Sequence, residues 1–200
     1  MPRGSRPRSA VFLKWFSRTR SLAQTLDMEV YRVAGPRHTT ANDIVSGVGA
    51  FLAGGRWNPI GEMKVVYLSQ TPETAMMEAL EHCRYYGVPI SNAFPKVTVA
   101  VSVVLERFLD LTDANLFASL PISILELIAE DWRALMSRNL ESASQSLGWA
   151  AFAAGLQGLR VPSKPDPAGV NILIFPENLT STCSLEVLNA DDLDKLGRPT

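Results

Sequence analysis

The sequence predicts a single domain of the mixed α/β class. Its 200 residues, of which 46% are hydrophobic and 20% charged, can bury a substantial core without a disulfide framework or a structural metal. β-Branched runs and helix-like segments are interspersed without strict alternation, which favours a mixed sheet over a doubly wound parallel one. The sequence has no internal repeat, no Ser/Gly linker and no run of 18 apolar residues. The composition therefore excludes membrane-spanning, collagen-like and wholly disordered proteins.

Basic residues are concentrated at the start of the chain. Residues 1–40 carry eight Lys or Arg and two acidic residues. Such a cluster fits a nucleic-acid-binding arm, a targeting peptide or a solvated extension, and we expect a solvated or loosely docked extension over residues 1–27. The apolar stretch 10–13 is too short for a secretory signal, so a cytoplasmic location is expected.

The first half of the domain is predicted to contain two strands and two helices. Residues 30–33 form the first strand, and residues 39–52 form a short helix whose periodicity is weakened by two glycines. A glycine-rich loop leads to a strand over residues 64–69. The next helix, over residues 72–86, is the best supported, because its first turn combines a threonine cap, a proline and an acid.

The second half of the domain begins with a predicted central strand. Residues 97–104 are β-branched and nearly continuous, which is typical of a strand buried on both faces. Helical periodicity follows over residues 122–140 and 142–154. Closing strands are predicted over residues 159–161, 170–175 and 184–188.

A loop at residues 54–61 concentrates reactive and ligand-binding side chains before a strand. It places Arg56, Trp57 and Asn58 after two glycines, which allow the backbone to approach a ligand closely. A guanidinium in such a loop matches phosphate or carboxylate, and Arg32 offers a second one, so the pair suits a pyrophosphate. The alternative is a plain turn in which the indole fills the core and the arginine pairs with an acid.

Arg56, Tyr67 and Glu78 follow one another at intervals of eleven residues, on the loop, the next strand and the following helix. With its surroundings, this arrangement resembles the RES-domain proteins, bacterial toxins that degrade NAD and are named for arginine, glutamate and serine. The resemblance covers residues 29–179, and its specific part is the Gly-Gly-Arg-Trp-Asn pentapeptide with the spaced Tyr, Glu and Ser. The matching stretches are Tyr31-Arg32, Gly47-x-Gly49-Ala50, Gly54 to Asn58 with Gly61, Val66-Tyr67-Leu68-Ser69, Ala75-x-x-Glu78, Gly158-Leu159-x-x-Pro162-Ser163 and Asn171-Ile172-x-Ile174-Phe175.

This resemblance implies an ADP-ribosyltransferase-like fold, in which two small sheets flanked by helices hold NAD in a cleft. It divides the chain into the basic extension over residues 1–27, an NAD-cleaving domain over residues 28–190 and a tail over residues 191–200. Family members cleave the nicotinamide–ribose bond with phosphate, giving ADP-ribose 1″-phosphate, or with water, giving ADP-ribose. The implied function is therefore an NAD phosphorylase or NAD glycohydrolase that acts as a toxin by depleting NAD.

The resemblance also implies a role for each matching side chain. Glu78 would stabilise the oxocarbenium-like transition state, orient the ribose hydroxyls or act as a base. Arg32 and Arg56 would bind the diphosphate, or one of them the phosphate co-substrate. Tyr67 would lie against the nicotinamide with its hydroxyl available, and Ser163 would contact ribose or phosphate. Further substrate contacts are expected from Tyr31, Trp57 and Asn58.

No metal and no cofactor are expected, since NAD is the substrate and phosphate the co-substrate. Cys83 and Cys183 lie far apart, and neither has a second Cys or His at metal-binding spacing. His82 follows Glu78 by one helical turn, so it could hydrogen-bond that carboxylate, and Trp132 is expected in the core.

The partner implied by the resemblance is a DNA-binding antitoxin of the Xre type. Direct binding of nucleic acid or membrane is not expected, and self-association is compatible with the sequence. Two other functions stay open, namely ADP-ribosylation of a macromolecular target and a catalytically silent domain that binds nucleotides or a partner. The complete set of candidate side chains at the site favours an enzyme.

Overall fold

The structure, a computed structural model, describes residues 7–36, 40–188, 190 and 192–193. The helices are α1 Pro7–Thr19, α2 Ala41–Val45, α3 Val48–Ala53, α4 Pro72–Tyr85, α5 Ala114–Ala118, α6 Ile124–Ala129, α7 Trp132–Ser137 and α8 Ala143–Ala153. The strands are β1 Gln24–Ala34, β2 Val66–Ser69, β3 Val97–Asp110, β4 Gly158–Pro162, β5 Val170–Ile174 and β6 Ser184–Val187. The interspersed order confirms the mixed α/β class.

The strands of the described residues pair into one six-stranded sheet of order β1-β2-β5-β4-β3-β6, and β1 also pairs with β3. Strands β1, β3 and β6 form one antiparallel half, and β2, β5 and β4 form the other. The halves are joined by a single antiparallel pair, Tyr31 with Ser69, and by parallel pairing of residues 108–110 with 158–160. The two small sheets implied by the resemblance are therefore two halves of one sheet that closes on itself.

Hydrophobic side chains pack on both faces of this sheet. Strand β5 lies between the two clusters, because Leu173 packs with α1 and α8 whereas Ile172 and Ile174 pack with β1 and β3. Strand β3 is central, since it pairs with β1, β4 and β6, but its residues alternate between buried and half-exposed. The prediction of burial on both faces is therefore wrong for β3, and residues 172–174 of β5 have that property instead.

The N-terminal segment is a docked helix, and the expectation of a solvated or loosely docked extension is wrong. Phe12 and Phe16 of α1 are 3% and 1% exposed and belong to the same core cluster as α8. The Trp15 indole N–H donates to Ser119 Oγ at 3.1 Å. Burial of aromatic rings outweighs the basic character of the segment, because the cations lie on the other face of the helix and stay in water. Of the predicted tail, only residues 192–193 lie among the described ones, and Leu193 is buried.

Two predicted helices are each divided into two. Gly47 separates α2 from α3 with a φ of 68°, and a Cβ there would meet the backbone of Val65 at 2.9 Å. Glu130 adopts an extended conformation between α6 and α7, where the Asp131 side chain accepts from the backbone N–H of Ala134 and starts the new helix. The predicted helix over residues 72–86 is confirmed as α4, with the Thr71 cap.

Among the residues that the structure describes, no helix combines the length and apolar character needed to cross a membrane.

Candidate active site

A cavity of about 360 Å³ lies between α4, α7, the glycine-rich loop before β2 and the segment that follows β4. A smaller cavity of about 160 Å³ shares four lining residues with it, Arg32, Tyr67, Glu78 and Asn171. Four of the side chains predicted from the sequence, Arg32, Arg56, Tyr67 and Glu78, therefore meet at one place. Trp57 also borders the larger cavity, and Tyr31 borders the smaller one.

The Glu78 carboxylate is held by two side-chain donors from the other side of the cavity. Its Oε1 accepts from Ser163 Oγ at 2.8 Å and from Asn171 Nδ2 at 2.5 Å. Both donors belong to the β4–β5 region, whereas Glu78 lies on α4. One carboxylate oxygen thus accepts two hydrogen bonds, which fix the carboxylate at the cavity that Glu78 lines.

The two donors are themselves held in place. Asn171 accepts from Ser69 Oγ at 2.7 Å, which leaves its amide nitrogen aimed at Glu78. The backbone N–H of Ser163 donates to the carbonyl of Gly169 at 2.9 Å, which fixes the turn after β4. Ser163 therefore lies where its hydroxyl orients Glu78, and the contact of this hydroxyl with ribose or phosphate stays a prediction.

The loop that carries Arg56 is tied down by Tyr67. The Tyr67 hydroxyl accepts from the backbone N–H of Trp57 at 2.9 Å and donates to Asn58 Oδ1 at 2.8 Å. A Cβ on Gly55 would collide with this same hydroxyl, so the glycine is required for close approach. Tyr67 lines both cavities. Its hydroxyl was predicted to be available to a ligand, but the structure engages it in hydrogen bonds within the loop.

Asn58 is a structural residue of this loop. Its side chain is fully buried, and Nδ2 donates to the carbonyl of Ala50 at 2.8 Å. Asn58 lines neither cavity, and its contact with the substrate stays a prediction that this placement does not support. Trp57 is 5% exposed and belongs to the core cluster. Tyr31 lines the smaller cavity, and its hydroxyl donates to Glu29 Oε1 at 2.5 Å.

Both predicted arginines are half-buried, and each is anchored by a backbone carbonyl. Arg32 donates through Nη1 to the carbonyl of Ile44 at 2.5 Å, and Arg56 donates through Nη2 to the carbonyl of Leu127. Burial lowers the pKa of both guanidiniums, and the charge of Glu78 opposes this effect at Arg56. The anchors use only part of each guanidinium, so donors remain for an anion.

The cavity carries more cations than carboxylates. Arg32, Arg56, Arg133 and Lys164 line it, against Glu78 and Glu81. His82 also borders it, but burial lowers the imidazole pKa, so His82 is largely neutral at pH 7. A hydrogen bond from His82 to Glu78, which the helical spacing allows, is absent among the described residues, and the imidazole packs on the Tyr86 ring at 4.9 Å.

Several lining residues were not predicted as site residues. Asn171 stands in a stretch matched to the family, but its type and spacing do not reveal that it faces Glu78. Arg133 and Lys164 carry no distinctive motif, and Trp132 borders the cavity rather than the core. The described residues contain no group of His, Cys, Asp and Glu arranged to hold a metal ion.

Comparison with known proteins gives three findings. The family model described as the RES domain matches residues 29–193. A toxin of Sphingobium sp. (strain YBL2), named as a Prs ADP-ribosylating toxin, is 32% identical over 69 residues, which is 34% of this chain and 42% of that protein. The aligned region thus spans less than half of the relative's length.

The third finding concerns the fold. The crystal structure of the M. tuberculosis MbcT–MbcA toxin–antitoxin complex contains a similar chain, with a TM-score of 0.67 and 18% sequence identity. The similarity covers 94% of this chain and 97% of the other. Nearly the whole chain thus falls within a known fold.

Proposed function

The chain belongs to the RES domain family, and on this premise we propose that it is an enzyme that cleaves the bond between nicotinamide and ribose in NAD. The observation that carries the proposal is the Glu78 carboxylate, held by Ser163 and Asn171 at a cavity rich in cations. A carboxylate can stabilise the positive charge that develops on the ribose, and cations can bind the diphosphate. One cavity thus offers both parts of an NAD site.

The proposed reaction assigns an electrostatic role to Glu78. When the glycosidic bond breaks, both bonding electrons go to the ring nitrogen of nicotinamide, which leaves as a neutral molecule. The ribose C1″ then acquires oxocarbenium character, and its positive charge is largest in the transition state. The carboxylate stabilises that state more than the bound substrate and so lowers the barrier.

An acceptor oxygen completes the new bond at C1″. An oxygen of inorganic phosphate gives ADP-ribose 1″-phosphate, whereas water gives ADP-ribose and releases a proton that Glu78 can pass to solvent. We favour phosphate, because Arg32 borders both cavities beside Glu78 and a guanidinium there suits a second anion.

The biological setting that we propose is a toxin that depletes cytoplasmic NAD and is restrained by an antitoxin protein of the Xre type. The Sphingobium relative is named as a toxin, and the structural neighbour comes from a toxin–antitoxin complex. Family membership supports the extension of these properties to this chain.

A second candidate is ADP-ribosylation of a macromolecule, which the name of the Sphingobium relative favours. The first half of the reaction is the same, but the bond at C1″ forms to a side chain of the target. The two candidates differ in whether free NAD is consumed without a target.

Proton NMR of NAD incubated with the purified protein, with and without inorganic phosphate, tests the proposal. We expect nicotinamide release and a new anomeric signal that depend on phosphate. Release without phosphate would mean a hydrolase. If NAD stays intact under both conditions, the free-NAD reaction is wrong and a macromolecular acceptor is to be sought.

The variant Glu78→Gln tests the carboxylate itself. Glutamine keeps the size of the side chain and an oxygen that can accept from Ser163 and Asn171, so the fold should be preserved. We expect nicotinamide release to fall by about 100-fold or more. Glu186→Gln, a change at an exposed position on β6, is the matched control and should keep full activity. Normal turnover in Glu78→Gln would remove Glu78 from the mechanism.

A further inference from the structure

Arg133, on α7, lines the larger cavity but takes no part in the mechanism given above. Its guanidinium carbon lies 4.4 Å from the centre of the Trp132 ring and 4.7 Å from that of Tyr85. Its Nε is buried and has no hydrogen-bond partner among the described residues. A buried N–H of a charged group without an acceptor is costly, so the side chain calls for an explanation.

The acids beside Arg133 are engaged elsewhere. Asp131 accepts from the backbone N–H of Ala134 at 3.0 Å and from the Tyr85 hydroxyl at 3.1 Å. The Glu130 carboxylate accepts from the backbone N–H of Ala143 at 2.8 Å. An internal ion pair therefore does not account for the position of Arg133.

Two aromatic rings contact the guanidinium. Its carbon lies within cation–π distance of the Trp132 and Tyr85 rings, which restrict its position, and its Nε–H has no acceptor among the described residues. Arg56 lines the same cavity, and the charge of Arg133 contributes to lowering the pKa of that neighbour. Two guanidiniums that repel each other across one cavity are stabilised when an anion binds between them.

The contact of Arg133, on α7, with Tyr85 of α4 indicates which anion this is. Its contact Tyr85 lies seven residues after Glu78, or about 10 Å along the helix axis. An acceptor phosphate must reach the reacting carbon beside Glu78, whereas the diphosphate of a dinucleotide lies further along the ligand. A phosphoryl group bound at Arg133 would therefore be remote from the bond that breaks.

We propose that Arg133 binds a phosphoryl oxygen of the nucleotide diphosphate, as part of a clamp with Arg56. The proposal rests on the proposed function for the identity of the dinucleotide. Arg133 thus sets substrate affinity and leaves the chemical step to Glu78.

The test measures direct binding of ADP, with adenosine as the probe that lacks phosphate, by titration calorimetry. The change Arg133→Gln should weaken ADP binding by about tenfold or more, because a charge-assisted hydrogen bond is lost, and should leave adenosine binding unchanged. Arg133→Lys keeps the charge but loses the planar group, so an intermediate loss is expected. Arg138→Gln, at an exposed position just after α7, is the control and should bind ADP normally.

Steady-state kinetics show whether Arg133 binds the diphosphate of NAD or inorganic phosphate. Together with the ADP titration, they also distinguish a failure of this proposal from a failure of the proposed function. Arg133→Gln should raise the KM for NAD and leave the KM for inorganic phosphate unchanged. A rise in the phosphate KM alone would overturn the assignment to the diphosphate. Equal ADP affinity in the wild type, Arg133→Gln and Arg133→Lys would also overturn it, even if NAD is cleaved. ADP binding that depends on Arg133 in a protein that does not cleave NAD would instead contradict the proposed function and support this site.

Discussion

The Glu78 carboxylate depends on neighbours that are distant in the chain. Asn171 and Ser163 stand 93 and 85 positions away from it, yet both donate to the same carboxylate oxygen. Each donor is buried or half-buried and is held by a further contact, so the carboxylate is oriented before a ligand arrives. Preorganisation of this kind acts on the rate of the chemical step more than on binding.

The variant Asn171→Ala tests this positioning role. We expect kcat for NAD to fall by about tenfold or more, because the carboxylate loses one of its two anchors, while KM changes little. The exposed Asn92→Ala is the control. An unchanged kcat, or a rise confined to KM, would show that Asn171 does not position Glu78.

The variant Tyr67→Phe tests how much the Tyr67 hydroxyl stabilises the loop that carries Arg56, rather than its part in catalysis. The Tyr67 phenol is buried, and desolvation raises the pKa of the phenol well above its ordinary value of 10.0. In Tyr67→Phe the N–H of Trp57 and Oδ1 of Asn58 lose their partner, so the free energy of unfolding should fall by about 1–3 kcal/mol. Thermal denaturation at pH 7 measures this loss, and Tyr86→Phe, at an exposed position, should have little effect.

The pH dependence of the same variant follows from the direction of the pKa shift. Below pH 10 both folded and unfolded proteins keep the phenol protonated, and the stabilisation is fully present. Above pH 10 the unfolded chain loses this proton first, so the advantage of the wild type over Tyr67→Phe should shrink by up to about 1.4 kcal/mol per pH unit. A constant difference from pH 7 to 11 would contradict the burial of this phenol.

At the scale of elements, helix α8 supports the arginine loop. Gln145 donates through Nε2 to the carbonyl of Gly55 at 3.0 Å. Gly148 packs so closely on the Trp57 carbonyl that a Cβ would overlap with it. The loop that aims Arg56 into the cavity is thus shaped by a helix that does not itself line it.

The variant Gly148→Ala tests this support. The added methyl group must push the loop or the helix away, so we expect a loss of about 1–3 kcal/mol in the free energy of unfolding together with weaker NAD binding. Gly35→Ala is the control, since a Cβ at Gly35 meets no atom within 4 Å. Wild-type stability and affinity in Gly148→Ala would show that the loop is not held by this contact.

At the scale of the whole molecule, the domain includes the N-terminal helix. The aromatic side chains of α1 complete the core cluster that also contains α8, β4 and β5. The RES family model begins at residue 29, so helix α1 lies outside the matched region. Its aromatic side chains nevertheless pack in the core of the domain.

The variant Phe16→Ala measures the contribution of α1. Phe16 is 1% exposed, so its truncation should cost about 3–5 kcal/mol and shift the urea midpoint with little change in the m-value. Val11→Ala on the same helix is the control, because Val11 is 51% exposed. If both variants unfold at the wild-type midpoint, α1 is not part of the core.

The sequence by itself determined the fold class, the family resemblance and the four side chains that meet at the cavity. These properties are local: the Gly-Gly-Arg-Trp-Asn loop, the capped helix that carries Glu78 and the apolar runs of the strands are each visible within a short window. The even spacing of Arg56, Tyr67 and Glu78 follows from one loop–strand–helix unit, so these residues come together without long-range information.

The tertiary structure decided the rest. In it, Ser163 and Asn171 donate to Glu78. Asn58 and the Tyr67 hydroxyl form hydrogen bonds within the loop. Arg133 lines the cavity, and α1 packs in the core. These contacts join residues far apart in the chain. They depend on strand register and on which helix face meets which sheet face, and residue type and periodicity alone do not encode them.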